Sequence, residues 1–273
     1  MPTVKVSDIS IYYETHGEGE PLVLIMGYGG NCRWWDSQIS SLSQEYRVVA
    51  FDNRGTGRSD KPDVPYTIEM MAADTAGLLE ALAIDAAHIY GVSMGGMIAQ
   101  EFTLRHPDKV TSLILGCTNP GGPNSILADA ETLTLLFDTD RRKRLTQEED
   151  TRETLPYLFT QEFMDKNPKL MDAVVASMLE YDVTPIHGYQ RQGEAIMRFN
   201  AYDRLTEIKA PTLVIAGTAD RLIPVENSRL LASRIPDAEL VILEDVGHGF
   251  FTEALEEASK AVLDFLGRHR RSR

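Results

Sequence analysis

Cysteine is scarce in this chain: Cys32 and Cys117 are the only two in 273 residues. Two thiols allow at most one bridge, and a chain this long can bury a core without one. A disulfide scaffold is therefore excluded, and a reduced, cytoplasmic setting is the expectation. Both thiols read as small buried hydrophobes. Long apolar runs are missing as well. No stretch approaches the ~18 uninterrupted apolar residues of a membrane span, and the opening MPTVKVSDIS holds no apolar segment of signal-peptide length, so neither a membrane role nor an export signal is expected. Basic charge is in deficit: 27 Lys and Arg face 41 Asp and Glu, a net charge of −14. That balance argues against a nucleic-acid partner, because phosphate binding needs clustered Lys and Arg. One basic run, Arg268, Arg270, Arg271 and Arg273, ends the sequence and reads as a frayed, solvated tail. Metal-ligand spacing such as H-E-x-x-H and paired thiols are both lacking, so no metal and no other cofactor is expected.

What is present is ordinary globular material, with 43% hydrophobic and 25% charged residues, enough to bury a sizeable core. Length alone leaves the domain count open. The pattern along the chain is more informative. Apolar and polar residues alternate over 4–7 and 9–13, around Asp8, and predict an opening hairpin. Six short apolar runs of buried-strand length follow, at 22–26, 48–51, 89–92, 113–115, 213–216 and 240–243. Helical patterns at 68–82, 94–105, 225–234 and 254–266 lie between or after them, each long enough to cover a sheet face. Such alternation predicts an α/β fold with a mostly parallel sheet covered by helices on both faces. The rhythm breaks once. From 121 to 205 no strand-like run occurs, but helical patterns such as 170–179 do. Asn119-Pro120-Gly121-Gly122-Pro123 marks the entry and Ala210-Pro211 the exit. A stretch so long cannot be an unstructured connection in a compact fold. It reads as a helical lid, 121–205, inserted into a core domain formed by 1–120 and 206–273.

The strongest chemical signal is Gly91-Val92-Ser93-Met94-Gly95-Gly96, set between a strand and a helix. A serine on so sharp a turn needs glycines around it, because a side chain there would strike the neighbouring strand and helix. Its hydroxyl would project from the carboxyl edge of the sheet, where open α/β sheets bind ligands. A serine hydroxyl is a poor nucleophile until a base takes its proton, and that base needs a third group to hold its tautomer. Of six histidines, His248 follows the last strand on a glycine-flanked loop at the same edge. The others have plainer readings: His88 a strand-end hydrogen bond, His106 a helix C-terminus, His16 and His269 near the chain ends, and His187 a surface role in the insertion. Asp220 follows a sheet strand in Ile215-Ala216-Gly217-Thr218-Ala219-Asp220 and is the candidate acid. Asp245 competes for that role but reads as a turn residue. The oxyanion of a tetrahedral intermediate needs two donors. The Met94 N–H at the helix start is one. Gly27-Tyr28-Gly29-Gly30-Asn31 supplies the other, assigned to Tyr28. That glycine run fits neither G-x-G-x-x-G nor a Walker loop, and no lysine follows it.

These segments, with Leu24-Ile25-Met26 before the glycine run and Asp52-Asn53-Arg54-Gly55-Thr56-Gly57-Arg58-Ser59, resemble the α/β-hydrolase superfamily over nearly the whole chain except the insertion. Within it the chain is similar to small esterases, enol-lactonases and cofactor-free haloperoxidases. The resemblance implies an eight-stranded sheet. It puts Ser93, Asp220 and His248 at catalytic positions, and Tyr28 and Met94 at the oxyanion positions. It makes the 52–59 turn structural and Trp35 a core residue. Many relatives carry histidine where this chain has Met26, which alters local hydrogen bonding but not a main-chain donor. Serine at 93 excludes the aspartate-nucleophile branches, epoxide hydrolases and haloalkane dehalogenases. The expected partner is a small carboxylic ester or lactone. Perhydrolase or haloperoxidase activity, carbon–carbon bond hydrolysis and a slow-turnover receptor role remain as alternatives. Specificity is expected from the lid and from Trp34 beside the oxyanion loop. Phe137, Leu158, Phe159, Met178 and Tyr181 read as lid core.

Overall fold

Alternation along the central strands decides the architecture, because each strand sends successive side chains to opposite faces. The computed structural model describes residues 2–180 and 184–270. Tyr181, Arg271 and Arg273, named above, lie outside the described residues. Eight strands form one sheet: β1 (Thr3–Val6), β2 (Ile9–His16), β3 (Glu20–Ile25), β4 (Tyr46–Phe51), β5 (Ala87–Val92), β6 (Val110–Gly116), β7 (Thr212–Gly217) and β8 (Glu239–Leu243). Their order is β1-β2-β4-β3-β5-β6-β7-β8. The β1–β2 and β2–β4 pairs are antiparallel and the rest are parallel.

Val23, Ile25, Val49, Phe51, Ile89, Leu113, Leu115 and Val214 feed one buried layer, while Leu22, Leu24, Val48, Ala50, Tyr90, Ile114, Leu213 and Ile215 feed the other. Helices cover both. Ile68, Met71 and Leu78 of α2 (Ile68–Ala81), Ile98 and Phe102 of α3 (Met94–Arg105) and Leu231 of α10 (Glu226–Arg234) close the first layer. Ile39 and Leu42 of α1 (Asp36–Leu42), Phe250 and Phe251 of α11 (Phe250–Glu253) and Val262, Phe265 and Leu266 of α12 (Leu255–Arg268) close the second. The eight-stranded, mostly parallel sheet with helices on both faces is the architecture the sequence pattern predicts. The α1 helix was not anticipated. It shows only two large apolar residues in seven, too short a stripe to register as helical periodicity.

Among the described residues, six α-helices separate β6 from β7: α4 (Ala130–Phe137), α5 (Thr139–Arg142), α6 (Gln147–Leu158), α7 (Gln161–Lys166), α8 (Pro168–Leu179) and α9 (Ile186–Arg198). Side-chain caps from Asp129, Asp138, Thr146 and Thr160 start four of them, each accepting from a backbone N–H of its helix's first turn. The two ends of this segment are fastened to each other. Gly121 bridges Asn200, and the Ala201 N–H donates to the Pro120 carbonyl at 2.8 Å. Leu155, Leu158, Phe159, Met171 and Val175 make a small apolar cluster with Leu222, and Trp34 of the core packs against it.

One buried ion pair lies between α2 and the 52–59 turn. Arg54, 2% exposed, donates to both carboxylate oxygens of Asp74, with Nε–Oδ2 2.5 Å and Nη2–Oδ1 2.7 Å. At the surface, Arg268 pairs with Glu239 at 2.5 Å, and Arg270 pairs with Glu45, so the described part of the basic tail is held by acidic neighbours rather than frayed. Removing Asp74 leaves the buried Arg54 only its 3.2 Å bond to the exposed Asp8. Asp74→Ala should therefore cost about 3–5 kcal/mol in urea unfolding, and Glu239→Ala under about 1 kcal/mol. A loss of similar size in the two variants would contradict this assignment.

Candidate active site

Chain geometry at the end of β5 leaves little freedom. A Cβ at Gly91 would lie 2.1 Å from the Gly95 carbonyl oxygen, and one at Gly95 would lie 2.1 Å from that of Ile25. Only glycines let strand, turn and helix come so close. Ser93 sits between them at φ 56°, ψ −125°, immediately before α3. Its N–H donates to the Gly116 carbonyl at 2.9 Å, and its carbonyl accepts from Thr118 Oγ1 at 2.7 Å and from the Gly96 N–H at 2.9 Å. Ser93 is half-buried, while its neighbours Val92 and Met94 are fully buried. Gly27, after β3, faces it: a Cβ there would be 2.9 Å from Ser93 Cβ and 3.4 Å from Oγ.

His248 and Asp220 meet at the same edge of the sheet. Both are buried, at 6% and 7% exposed. His248 Nδ1 lies 2.8 Å from Asp220 Oδ2. The other carboxylate oxygen, Oδ1, accepts from the backbone N–H groups of Leu222 (2.8 Å) and Ile223 (2.9 Å), which fixes the acid's orientation. Asp245 does not compete for the imidazole. It is an exposed turn residue at φ 58°, and its N–H donates to Thr218 Oγ1. Burial alone disfavours the imidazolium, but the Asp220 carboxylate outweighs it, and the His248 pKa stands well above the ordinary histidine value.

Cys117 is the neighbour that sequence reading missed. It follows β6 at φ 38°, with no exposed surface, and its Sγ lies 3.8 Å from His248 Nε2. Burial raises its pKa above the ordinary thiol value and keeps it neutral. It is buried, as the sequence suggests, but not merely as a small hydrophobe. Its position directly after a central strand, at the edge that carries Ser93 and His248, is the signal that could have found it. Among the described residues, Cys117, Asp220 and His248 form the one cluster of metal-ligating types, their donor atoms within 4.8 Å of one another. Asp220 already holds His248 Nδ1. That leaves one thiol and one imidazole nitrogen, short of the three protein ligands of a catalytic zinc site.

The loop after β3 is held from several directions. A turn closes from the Gly30 N–H to the Gly27 carbonyl at 3.3 Å, with Gly29 at φ 68°. Asn53 Nδ2 donates to the Met26 carbonyl at 2.8 Å. Asp52 accepts from the Cys32 and Arg58 backbone N–H groups, each at 2.7 Å, so the 52–59 turn acts as scaffold for this loop. Tyr28 is half-buried, its ring packed on Phe137 (5.5 Å) and Tyr189 (5.4 Å) of the helical segment. Gln192 of α9, also unforeseen, accepts from the Gly29 N–H at 2.8 Å and donates to the Arg54 carbonyl at 2.9 Å. The His248 loop is tied to the helical segment too. The Gly249 N–H donates to the Leu158 carbonyl at 2.7 Å, the Gly247 N–H donates to Glu253 at 2.9 Å, and Thr160 also bonds Glu253.

The other residues named from the sequence have partners of their own. His88 bonds Ser112 at 2.7 Å, His106 caps α3, and His187 meets the Lys61 carbonyl at 2.9 Å. His16 pairs with Glu14 at 3.2 Å, and His269 lies against Phe265. Trp35 is fully buried between Tyr90 and Phe251. Leu158 and Phe159 are buried in the helical segment's own cluster, whereas Phe137 turns to the Tyr28 ring.

Comparison with known proteins agrees with this fold. The α/β-hydrolase family model matches residues 20–255, and the chain belongs to that family. A curated relative from Azorhizobium caulinodans, provisionally named carbamate hydrolase RutD, is 31% identical over 98% of both chains. The enol-lactonase of Burkholderia xenovorans LB400 superposes with a TM-score of 0.85 at 30% identity, over 97% of this chain and 100% of that one. A thermophilic esterase of Thermogutta terrifontis, with malate bound, gives 0.85 at 26% identity, over 99% and 100%. Family and relatives together support a hydrolase. Among the described residues, no helix is long and apolar enough to cross a membrane.

The pairing of His248 with Asp220 has a measurable consequence. The carboxylate favours the protonated ring, so the imidazole in the wild-type protein should titrate above pH 6.5. Asp220→Asn removes the largest support and leaves burial opposed only by the Cys117 contact, so its midpoint should fall. Nitrogen NMR of the His248 ring across pH 5–10 reads both. A midpoint that rises, or does not move, in Asp220→Asn would count against the assignment.

Proposed function

We propose that the protein hydrolyses a small carboxylic ester or lactone through an acyl-enzyme. In this reading Ser93 is the nucleophile, His248 the base and Asp220 the group that orients it. The N–H groups of Tyr28 and Met94 form the oxyanion hole, and residues 121–205 serve as the lid over the core formed by 1–120 and 206–273. The observation that carries the proposal is the buried His248–Asp220 bond of 2.8 Å, at the same sheet edge as a serine held at φ 56°.

The chemistry follows from those groups. Ser93 Oγ attacks the carbonyl carbon while its proton passes to His248 Nε2, the nitrogen not engaged by Asp220. The carbonyl π-electrons move onto oxygen, and the two main-chain donors stabilise that charge. Met94 opens α3, so its N–H belongs to the first turn, where backbone donors lack intrahelical partners and the helix dipole favours an anion. The tetrahedral intermediate collapses, the C–O bond to the leaving alcohol breaks, and His248 returns its proton to that oxygen. Water then repeats the sequence against the acyl-enzyme, giving the free acid and restoring Ser93. Since His248 must be neutral to begin, and its pKa is raised, kcat/KM should climb with pH through a limb lying above 6.5.

The enol-lactonase and esterase likenesses support an oxygen ester as the bond broken. The relative provisionally named a carbamate hydrolase adds carbamates to the substrates to be tried. Short p-nitrophenyl esters, lactones, carbamates and carbon–carbon diketones, offered in parallel with and without hydrogen peroxide, separate hydrolase from perhydrolase and carbon–carbon cleavage. We expect ester or lactone turnover without peroxide. Ser93→Ala should lower kcat by several orders of magnitude, on the order of 10⁴ or more, with the fold intact. Esterase turnover in Ser93→Ala within tenfold of wild type would remove Ser93 from the role given to it. Negligible turnover of every substrate by the wild type would favour a slow-turnover receptor.

A further inference from the structure

Gly29, next to the proposed oxyanion donor, has every backbone group occupied by the helical segment. Its N–H donates to Gln192 Oε1 at 2.8 Å. Its carbonyl accepts from Thr184 Oγ1 at 2.9 Å. A Cβ on it would lie 2.1 Å from Tyr189 Cε1, so the Tyr189 ring rests on its Cα. Tyr189 and Gln192 are one turn apart on α9, and Thr184 is two residues ahead of its start. Gln192 has no exposed surface, and its amide nitrogen donates to the Arg54 carbonyl at 2.9 Å, so the side chain cannot swing away without stranding two buried polar groups.

We infer that Gln192 is a positioning residue for the oxyanion hole: it ties the apex of the 27–30 turn to α9 and so holds the Tyr28 N–H where the developing oxyanion needs it. The inference rests on the assignment of Tyr28 as an oxyanion donor. The turn needs such a tie. It is closed by a single long hydrogen bond, Gly30 N–H to Gly27 carbonyl at 3.3 Å, and it contains glycine at 27, 29 and 30, the residue type with the most backbone freedom to lose. Gln192 and Thr184 take opposite sides of the residue that follows Tyr28, and Tyr189 takes both that residue's Cα and the Tyr28 ring. Gln192 itself touches no reacting atom in this reading. Its effect passes through the backbone, and because the oxyanion forms in both acylation and deacylation, a looser donor slows both.

The test is Gln192→Met, which keeps the volume and removes both hydrogen bonds. Enzyme is titrated with a fluorophosphonate so that kcat refers to competent sites, and turnover of p-nitrophenyl acetate is then compared. The expected result is a roughly 10- to 100-fold fall in kcat, with KM within about threefold. Affinity for a boronic acid, whose tetrahedral adduct places an oxygen in the oxyanion hole, should fall with kcat, while inhibition by acetate, the product acid, should stay within about threefold. Unchanged kcat per titrated site, or equal loss of boronate and acetate binding, overturns the inference. If Gln192→Met fails to fold, Thr184→Val decides: a several-fold fall in kcat at constant KM supports the tie, and unchanged kcat overturns it. Wild-type protein that takes up no fluorophosphonate at Ser93 would overturn the reading of the site itself, and this inference with it. Uptake by wild type with unaltered kcat in both variants would overturn the tie alone.

Discussion

Ser93 is held in a backbone conformation that a residue with a side chain avoids, and the surroundings of the site are arranged to keep it there. A non-glycine residue in so sparsely populated a region costs about 1–3 kcal/mol, and persists only where neighbouring structure over-determines it. Here β6 receives its N–H, Thr118 and the first turn of α3 hold its carbonyl, and Gly91 and Gly95 remove the Cβ atoms that would collide. The result is a half-exposed hydroxyl at the carboxyl edge of a parallel sheet, beside a helix N-terminus. Every other feature of the site has meaning only relative to that fixed point. Gly27 leaves room for the β3 loop against it, and β7 and β8 deliver Asp220 and His248 to the same edge.

The sheet sets where the groups stand, and the helical segment between β6 and β7 sets how firmly they stand. It reaches the loop after β3 through Thr184, Tyr189 and Gln192, and the loop after β8 through Leu158, with Thr160 bonding Glu253 of α11 beside it. Its two ends are fastened together at Gly121 and Asn200, so it bears on both loops from one base. In the proposed reading, a lid attached in this way does more than exclude water. Displacing it would release main-chain groups on both sides of the nucleophile, so lid position and catalytic geometry would be linked.

Much of the fold could be read in the sequence because its signals are local. Alternation over 4–7 and 9–13 marks the opening hairpin, six short apolar runs mark the other strands, and the G-x-S-x-G turn between a strand and a helix locates Ser93. Placement at the ends of successive strands was enough to pair His248 with Asp220 rather than with the nearer Asp245, whose φ of 58° and exposure show why closeness in sequence misleads. What escaped depends on contacts across long sequence separations. Cys117 is one small residue among many apolar ones, and its approach to His248 is visible only once β6 and the loop after β8 are set side by side. Gln192 is a polar residue in a polar helix, 163 residues from the glycine it binds. The short α1 escaped for a different reason, too few apolar positions to form a stripe.

The most direct test of the account is a crystal structure of the protein inactivated with a dialkyl p-nitrophenyl phosphate. The expected result is a single phosphorus bonded to Ser93 Oγ, with the phosphoryl oxygen about 2.7–3.1 Å from both the Tyr28 and Met94 backbone nitrogens and the His248 imidazole still hydrogen-bonded to Asp220. An adduct on another residue, or one at Ser93 whose phosphoryl oxygen points away from those two amides, would contradict it.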